Sequence, residues 1–123
     1  MRQFDCLEVA HENDVAVVTF VDDKVMDVNR IQMLNDELSW LTEQDSVSKL
    51  LINLNNVRFL SSAAINKMIV LDKRMKEKGG QIRLCCLRPE VRDVFEITNL
   101  NTVFKIFDEQ SDAIKSLEKL PAE

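Results

Sequence analysis

Histidine, glycine and proline are almost missing from this chain of 123 residues, and tyrosine is absent altogether. Each shortage removes a class of chemistry. His11 is the sole histidine. It falls at a strand end or turn, where it reads as a solvated side chain rather than a general base or metal ligand. No histidine and cysteine cluster has metal-ligand spacing. The two glycines are adjacent, at Gly79 and Gly80. No Gly-rich phosphate loop can be built from them, which excludes the P-loop and the dinucleotide fingerprint. The three cysteines, Cys6, Cys85 and Cys86, form no C-x-x-C pair and leave one over. That pattern fits free thiols in a reducing cytoplasm better than a disulfide framework. Adjacent strand residues point to opposite faces, so Cys85 and Cys86 are not expected to bridge. Basic residues are outnumbered, with a formal net charge of −5. Nucleic acid needs a basic footprint and is excluded as a partner. No apolar run is long enough to span a bilayer, and Met1 to Asp14 does not read as a leader, so direct membrane insertion is not expected.

What is present is enough for one domain over residues 1–123. At 46% hydrophobic the chain can build a core without a metal or disulfide staple. The run Leu50, Leu51, Ile52, Asn53, Leu54 reads as a strand covered on both faces, hence central in a sheet. Asn53, Asn55 and Asn56 follow as turn formers. Ser61 or Ser62 can cap a helix that ends at Gly79-Gly80, where a left-handed C-cap is expected. Lys73, Arg74, Lys76 and Lys78 lie toward its negative end.

Elsewhere the patterns are shorter. Phe4 to Ala10 alternates like an edge strand. Glu12-Asn13-Asp14 reads as a turn, and Val15 to Val21 as the second strand of a hairpin. Asp22, Asp23 and Lys24 form a charged loop; a solvated turn suits them better than a metal site. Asp27 or Asn29 can cap a helix to about Thr42, with Ile31, Leu34, Leu38 and Leu41 on one stripe. Trp40 falls nearly opposite that stripe, either as a partner contact or packed under a neighbouring loop. Gln81 to Cys86 reads as a strand, with Ile82, Leu84 and Cys86 on one face. Pro89 suits the first position of a helix striped by Val91, Val94, Phe95 and Thr98. Val103 to Phe107 is a short strand. Ser111 and Asp112 open a last helix, with Ala113, Ile114 and Leu117 inward and Pro121 as its stop. The order β-β-α-β-α-β-α-β-α predicts an α/β fold with parallel neighbours joined by right-handed crossovers after an opening hairpin. Ser61 and Ser62 sit just past the carboxyl end of the central strand, where ligand sites gather in open α/β sheets. They lack a G-x-S-x-G elbow and a base, so nucleophilic catalysis is unsupported.

At Phe59-Leu60-Ser61-Ser62-Ala63-Ala64-Ile65 the chain resembles the anti-sigma factor antagonist family, the STAS domains. The family pattern is an apolar strand, a short loop, then Asp-Ser-Ser-Gly or Asp-Ser-Thr-Gly opening a helix. Leu51-Ile52-Asn53-Leu54, Gly79-Gly80 with Ile82-Arg83-Leu84, and Pro89-Glu90-Val91 with Phe95, Thr98 and Leu100 are similar to the family in the same order. The resemblance runs from about Phe4 to Leu117. Ser61 replaces the family aspartate and Ala64 the glycine. The resemblance implies one STAS domain with a mixed, mostly parallel sheet of about five strands and four helices. It implies a protein-binding switch rather than an enzyme, with no cofactor. Its partner would be an anti-sigma factor of the serine kinase type, reset by a serine phosphatase. Ser62 would be the phosphorylated residue. The partner-binding surface implied comprises Asp22, Asp23, Lys24, Asn55, Asn56, Arg58, Ser61, Ser62, Ala63 and Asn66. A second function is consistent with the same resemblance: a non-switching structural subunit of a stress-sensing scaffold or a membrane transport complex. As plain structure, Ser61 and Ser62 are the N-cap and first residue of a helix.

Overall fold

The apolar run at 50–54 is the middle of a five-stranded sheet in the computed structural model, which describes residues 3–120. The strands are β1 (Leu7–Glu12), β2 (Val15–Phe20), β4 (Lys49–Asn53), β6 (Gln81–Cys85) and β7 (Lys105–Phe107), in the order β1-β2-β4-β6-β7. β1 pairs antiparallel with β2, and all other neighbours are parallel. Four helices connect or flank them: α1 (Val28–Thr42), α2 (Ser62–Glu77), α3 (Pro89–Ile97) and α4 (Gln110–Glu118). The mixed, mostly parallel α/β fold is thus the one the element order predicts.

The sheet is covered unequally. Leu50 and Ile52 face the larger core with Ile31, Leu34, Leu38 and Leu41 of α1, Ile65, Met68 and Met75 of α2, and Val91 and Phe95 of α3. Leu51 points the other way, into a smaller core with Val15, Val17 and Cys85, closed by Ala113, Ile114 and Leu117 of α4. One short helix cannot cover that face with apolar groups alone, and polar side chains of the sheet, buried at Lys49 and Arg83 and half-buried at Asn53, anchor it. Lys49 Nζ donates to Leu120 O at 2.8 Å and pairs with Asp14 at 2.7 Å. Asn53 Nδ2 donates to Gln110 Oε1 at 2.8 Å, and Arg83 Nε to Ser116 Oγ at 3.3 Å. The ammonium of Lys49 holds the Asp14 carboxyl below its ordinary range, first through the hydrogen bond. A depressed carboxyl contributes stability above its unfolded pKa, and that contribution is lost as pH falls through the folded value. Removing the cation in Lys49→Met is therefore expected to raise the Asp14 pKa toward the ordinary carboxylate range. An NMR titration of the Asp14 carboxyl checks this, and an unchanged midpoint would show that the pair is not coupled.

Several boundaries differ from the sequence expectation. The first strand starts at Leu7, not Phe4, because the buried Glu37 carboxylate takes the N–H groups of Asp5 and Cys6, both at 2.9 Å. α1 thus holds the N–H groups of that segment, while Cys6 O accepts from Val21 N at 3.0 Å; Cys6 and Leu7 are both buried. The hairpin turn is two residues, Asn13 and Asp14, with Asn13 at φ 56°. Asparagine tolerates that left-handed region better than most residues. The central strand is shifted by one residue, and Leu54 is fully buried beyond its end. Val94 and Thr98 are exposed, so only Val91 and Phe95 form the buried stripe of α3. The last strand starts at Lys105, not Val103: a 3-10 turn at Leu100–Thr102 precedes it, and Phe104 packs on Phe95 with centroids 6.0 Å apart. Cys86 leaves β6 at φ 63° and packs beside the smaller core with Cys85, not with Ile82 and Leu84. Burial pushes the Cys6 thiol up to about 11 and raises Cys85 further. The last helix begins at Gln110, one residue before Ser111. Its expected stop, Pro121, lies outside the described residues. Trp40 packs edge-on against Phe4, centroids 5.9 Å apart, and remains 37% exposed.

The caps agree with the sequence. Asp27 accepts from Arg30 N at 3.0 Å to start α1. Gly79 ends α2 at φ 86°, with its N–H on Lys76 O and the N–H of Gly80 on Met75 O, a Schellman closure. Gly80 is buried as well: a Cβ there would sit 2.9 Å from both Met75 Cε and Ser48 O. The carbonyl is backbone and cannot yield cheaply. Gly80→Ala is expected to lower stability by about 1–3 kcal/mol, read from the urea midpoint at unchanged m. A wild-type midpoint would mean that the α2–β6 corner opens freely.

Candidate functional site

Two short segments, whose paired residues are 35 apart in sequence, meet at the carboxyl end of the sheet. β3 (Lys24–Val25) pairs in parallel with β5 (Phe59–Leu60), Lys24 opposite Phe59 and Val25 opposite Leu60. Asp23 O accepts from Arg58 N at 2.7 Å and from Phe59 N at 3.1 Å, and Val25 O accepts from Ser61 N at 3.0 Å. The charged loop at 22–24 is thereby tied to the segment that opens α2. A strand of two residues has no alternation to read, and its partner is remote in sequence, so neither strand was expected.

Side chains below this surface keep it in place. Asp22 makes a bidentate pair with Arg30, 2.8 Å to Nη2 and 2.9 Å to Nε. The Asp22 hydrogen bonds raise the Arg30 pKa above its ordinary value, although burial opposes this. Asn53 Oδ1 accepts from Asn55 N at 2.8 Å, the expected asparagine turn. Asn56 Nδ2 donates to Phe20 O at 3.1 Å, tying the end of β2 to this loop. Arg88 Nε donates to Asn55 O at 2.8 Å from the loop before α3.

The two serines divide their roles. Ser61, half-buried, is the N-cap of α2, with φ −70°, ψ 160° and its Oγ accepting from Ala64 N at 3.3 Å. Ser62 is the first helical residue and is exposed, so its hydroxyl is not the cap. α2 has no acidic residue in its first turn. The partial positive charge of the helix end is therefore not already offset there by a carboxylate. Asp23, Lys24, Asn55, Arg58, Ala63 and Asn66 are exposed. Asn66 follows Ser62 by four residues and so lies one turn along the same helical face. Asp22 and Asn56 are partly buried and engaged in holding loops. Of the ten expected surface positions, these two and Ser61 thus act mainly as supports.

Sequence reading missed the apolar part of this surface. Phe59 and Met26 are 47% and 54% exposed, one in β5 and the other just after β3. Beside Phe59 a cleft of about 70 Å³ is lined by Arg58, Leu60, Ile65, Glu90, Val91 and Val94 among others. Phe59 looks like a core residue in the sequence. Only the pairing with β3 turns it outward. Reactive groups are sparse here: His11 is on β1, outside this cluster. Among the described residues no group of three or more His, Cys, Asp or Glu could hold a metal ion. No helix among them is long and apolar enough to cross a membrane. The arrangement is an exposed surface of mixed polar and apolar side chains with an accessible hydroxyl on a helix end.

Comparison with known proteins agrees with the geometry. The family model for the STAS domain matches residues 7–113. An anti-sigma F factor antagonist of Paenibacillus polymyxa is 24% identical over 115 residues, covering 91% of this chain and 94% of the relative. A STAS domain protein of Planctomyces limnophilus superposes with a TM-score of 0.82 at 22% identity, covering 92% of this chain and 98% of the other. The phosphorylated form of the Bacillus cell fate determinant SpoIIAA gives a TM-score of 0.69 at 15% identity, covering 89% and 97%. With its sheet order, its serine-capped second helix and a family match across most of its length, the chain belongs to the STAS domain family.

Proposed function

We propose that this protein is an anti-sigma factor antagonist that acts in the cytoplasm as a binding switch and not as an enzyme. Its partner is an anti-sigma factor of the serine kinase type. Contact is made through the exposed residues around the start of α2: Asp23, Lys24, Asn55, Arg58, Ser62, Ala63 and Asn66, with Phe59 as the apolar centre. Asp22, Asn56 and Ser61 shape that surface from beneath. Phosphorylation of Ser62 by the partner releases it, and a serine phosphatase restores the binding form.

The observation that carries this reading is the division between the serines. Ser61 supplies the helix cap, which leaves the Ser62 hydroxyl exposed and able to change without unfolding α2. The names of the similar proteins support the same class of function. Ser61 in place of the family aspartate leaves the approach to Ser62 less acidic, a difference that bears on which kinase recognises it. The test is a pull-down from the native cell with wild type and Ser62→Asp as baits, followed by phosphopeptide mapping of the wild type. Recovery of a kinase-type anti-sigma factor by wild type alone, with phosphate on Ser62, is the expected result. Equal recovery of a scaffold or transporter component by both baits would favour the non-switching structural subunit instead.

A further inference from the structure

Strand β1 is an edge of the sheet and shares no residue with the surface described above. Val21 donates its N–H to Cys6 O at 3.0 Å, and the ladder continues from Leu7 opposite Phe20 to Glu12 opposite Val15. Antiparallel ladders alternate bonded and non-bonded pairs. Counted from Cys6, the backbone groups of Glu8, Ala10 and Glu12 turn toward β2, and those of Leu7, Val9 and His11 turn to the open edge. Beside this edge lies a groove of about 540 Å³, lined by Phe4, Leu7, Val9, His11, Trp40 and Leu41. The opposite face of the strand carries Glu8 and Glu12, both exposed. β1 contains neither the lysine nor the proline that commonly blunts an edge.

We propose that β1 is the docking edge for an extended, basic strand of a partner protein. The added strand would bond to the outward N–H and C=O groups of Leu7, Val9 and His11. Its alternate apolar side chains would fill the groove against Trp40, and Lys or Arg between them would face Glu8 and Glu12. Backbone pairing supplies affinity in such strand addition, and the alternating side chains supply specificity. The charges select this occupant over a second copy of the chain. Two antiparallel β1 strands would bring Glu8 and Glu12 near their own counterparts, between molecules that each carry −5.

The probe is a blocked hexapeptide alternating lysine with valine or isoleucine, compared with the same peptide carrying glutamate for lysine. The lysine peptide is expected to slow amide exchange at Leu7, Val9 and His11 by about tenfold or more, leaving Glu8, Ala10 and Glu12 unchanged. Trp40, the only tryptophan, should shift its emission to the blue. Val9→Pro removes an outward N–H without touching the β2 ladder, and is expected to weaken the peptide about fivefold or more. Should that variant fold poorly, Glu8→Lys with Glu12→Lys is expected to reverse the preference between the two peptides. The proposal is overturned by absence of protection with the lysine peptide, or by equal protection with both. Protection of the same amides on raising protein concentration alone would overturn it in favour of self-association.

Discussion

Ser62→Asp is expected to fold like the wild type yet bind the anti-sigma factor proposed as its partner about 2 kcal/mol or more weakly, close to a 30-fold loss. Ser62→Ala should bind like the wild type. Both expectations come from the position of the residue. Ser62 opens α2 with its side chain in solvent, and Ser61 already occupies the capping role. A carboxylate or phosphate in the first turn lies near the positive end of the helix dipole, which favours it by a few tenths of a kcal/mol to about 1 kcal/mol. The helix therefore tolerates the charge. A partner packed over Phe59 and Ser62 does not: it must desolvate a hydrated anion, and phosphate brings roughly −1.5 to −2 charges. The unfavourable term at the interface exceeds the small favourable one at the helix end, so the change appears in binding and not in stability. Ser61→Ala is the contrasting variant. It removes the hydroxyl bonded to Ala64 N and should cost about 1 kcal/mol of stability. Calorimetric affinities for wild type, Ser62→Ala and Ser62→Asp, with circular dichroism for each, test the set. Three equal affinities would remove Ser62 as the switch.

Ile52→Asp is expected to abolish folding. Ile52 is fully buried in the central strand, opposite Val18 on one side and Leu84 on the other. Its side chain sits in the larger core among α1, α2 and α3, in a wholly apolar cluster. An aspartate there is either buried as a charge or protonated at a large cost, and it also loses the packing of isoleucine. Together these exceed about 5 kcal/mol, against a total stability of about 5–15 kcal/mol for a domain of this kind. Ile52→Val, which keeps shape and polarity, should cost only about 0.5–1.5 kcal/mol. A thermal melt followed by circular dichroism distinguishes them: no cooperative transition for the aspartate variant, a modestly lowered Tm for valine. An unchanged Tm for Ile52→Asp would contradict the central place given to β4.

Most of the scaffold was legible in residues 15–85 because its signals are local. The run at 50–54 is apolar on both faces, and such a run is stable only inside a sheet. The stripe of Ile31, Leu34, Leu38 and Leu41 has helical period, and all four are buried. Asp27, Ser61, Gly79 and Pro89 are caps or first-turn residues whose effect is confined to a few neighbouring backbone groups. The opening and closing parts were read less well. At Phe4 to Cys6 the alternation suggests a strand, but a carboxylate 31 residues from Cys6 captures its backbone. At Cys86 a left-handed residue ends the alternation that the sequence continues through Ile82, Leu84 and Cys86.

The residues alone mark this as an α/β protein with a serine-capped helix after its central strand, without metal-ligand or phosphate-loop motifs. Those properties rest on periodicity, caps and composition, which act within a few residues. The make-up of the candidate surface, in contrast, comes from contacts between distant segments. Asp23 O, reaching Arg58 N and Phe59 N, folds the charged loop onto the start of α2 and turns Phe59 to solvent. Asp22 and Asn56 are drawn inward to Arg30 and Phe20 O. That β1 is an edge was legible in the alternation from Phe4 to Ala10, but which of its backbone groups face outward depends on its pairing with β2. Hydrogen bonds between distant backbone segments leave no local pattern in either segment, so the shape of this surface became visible only when the chain was closed on itself.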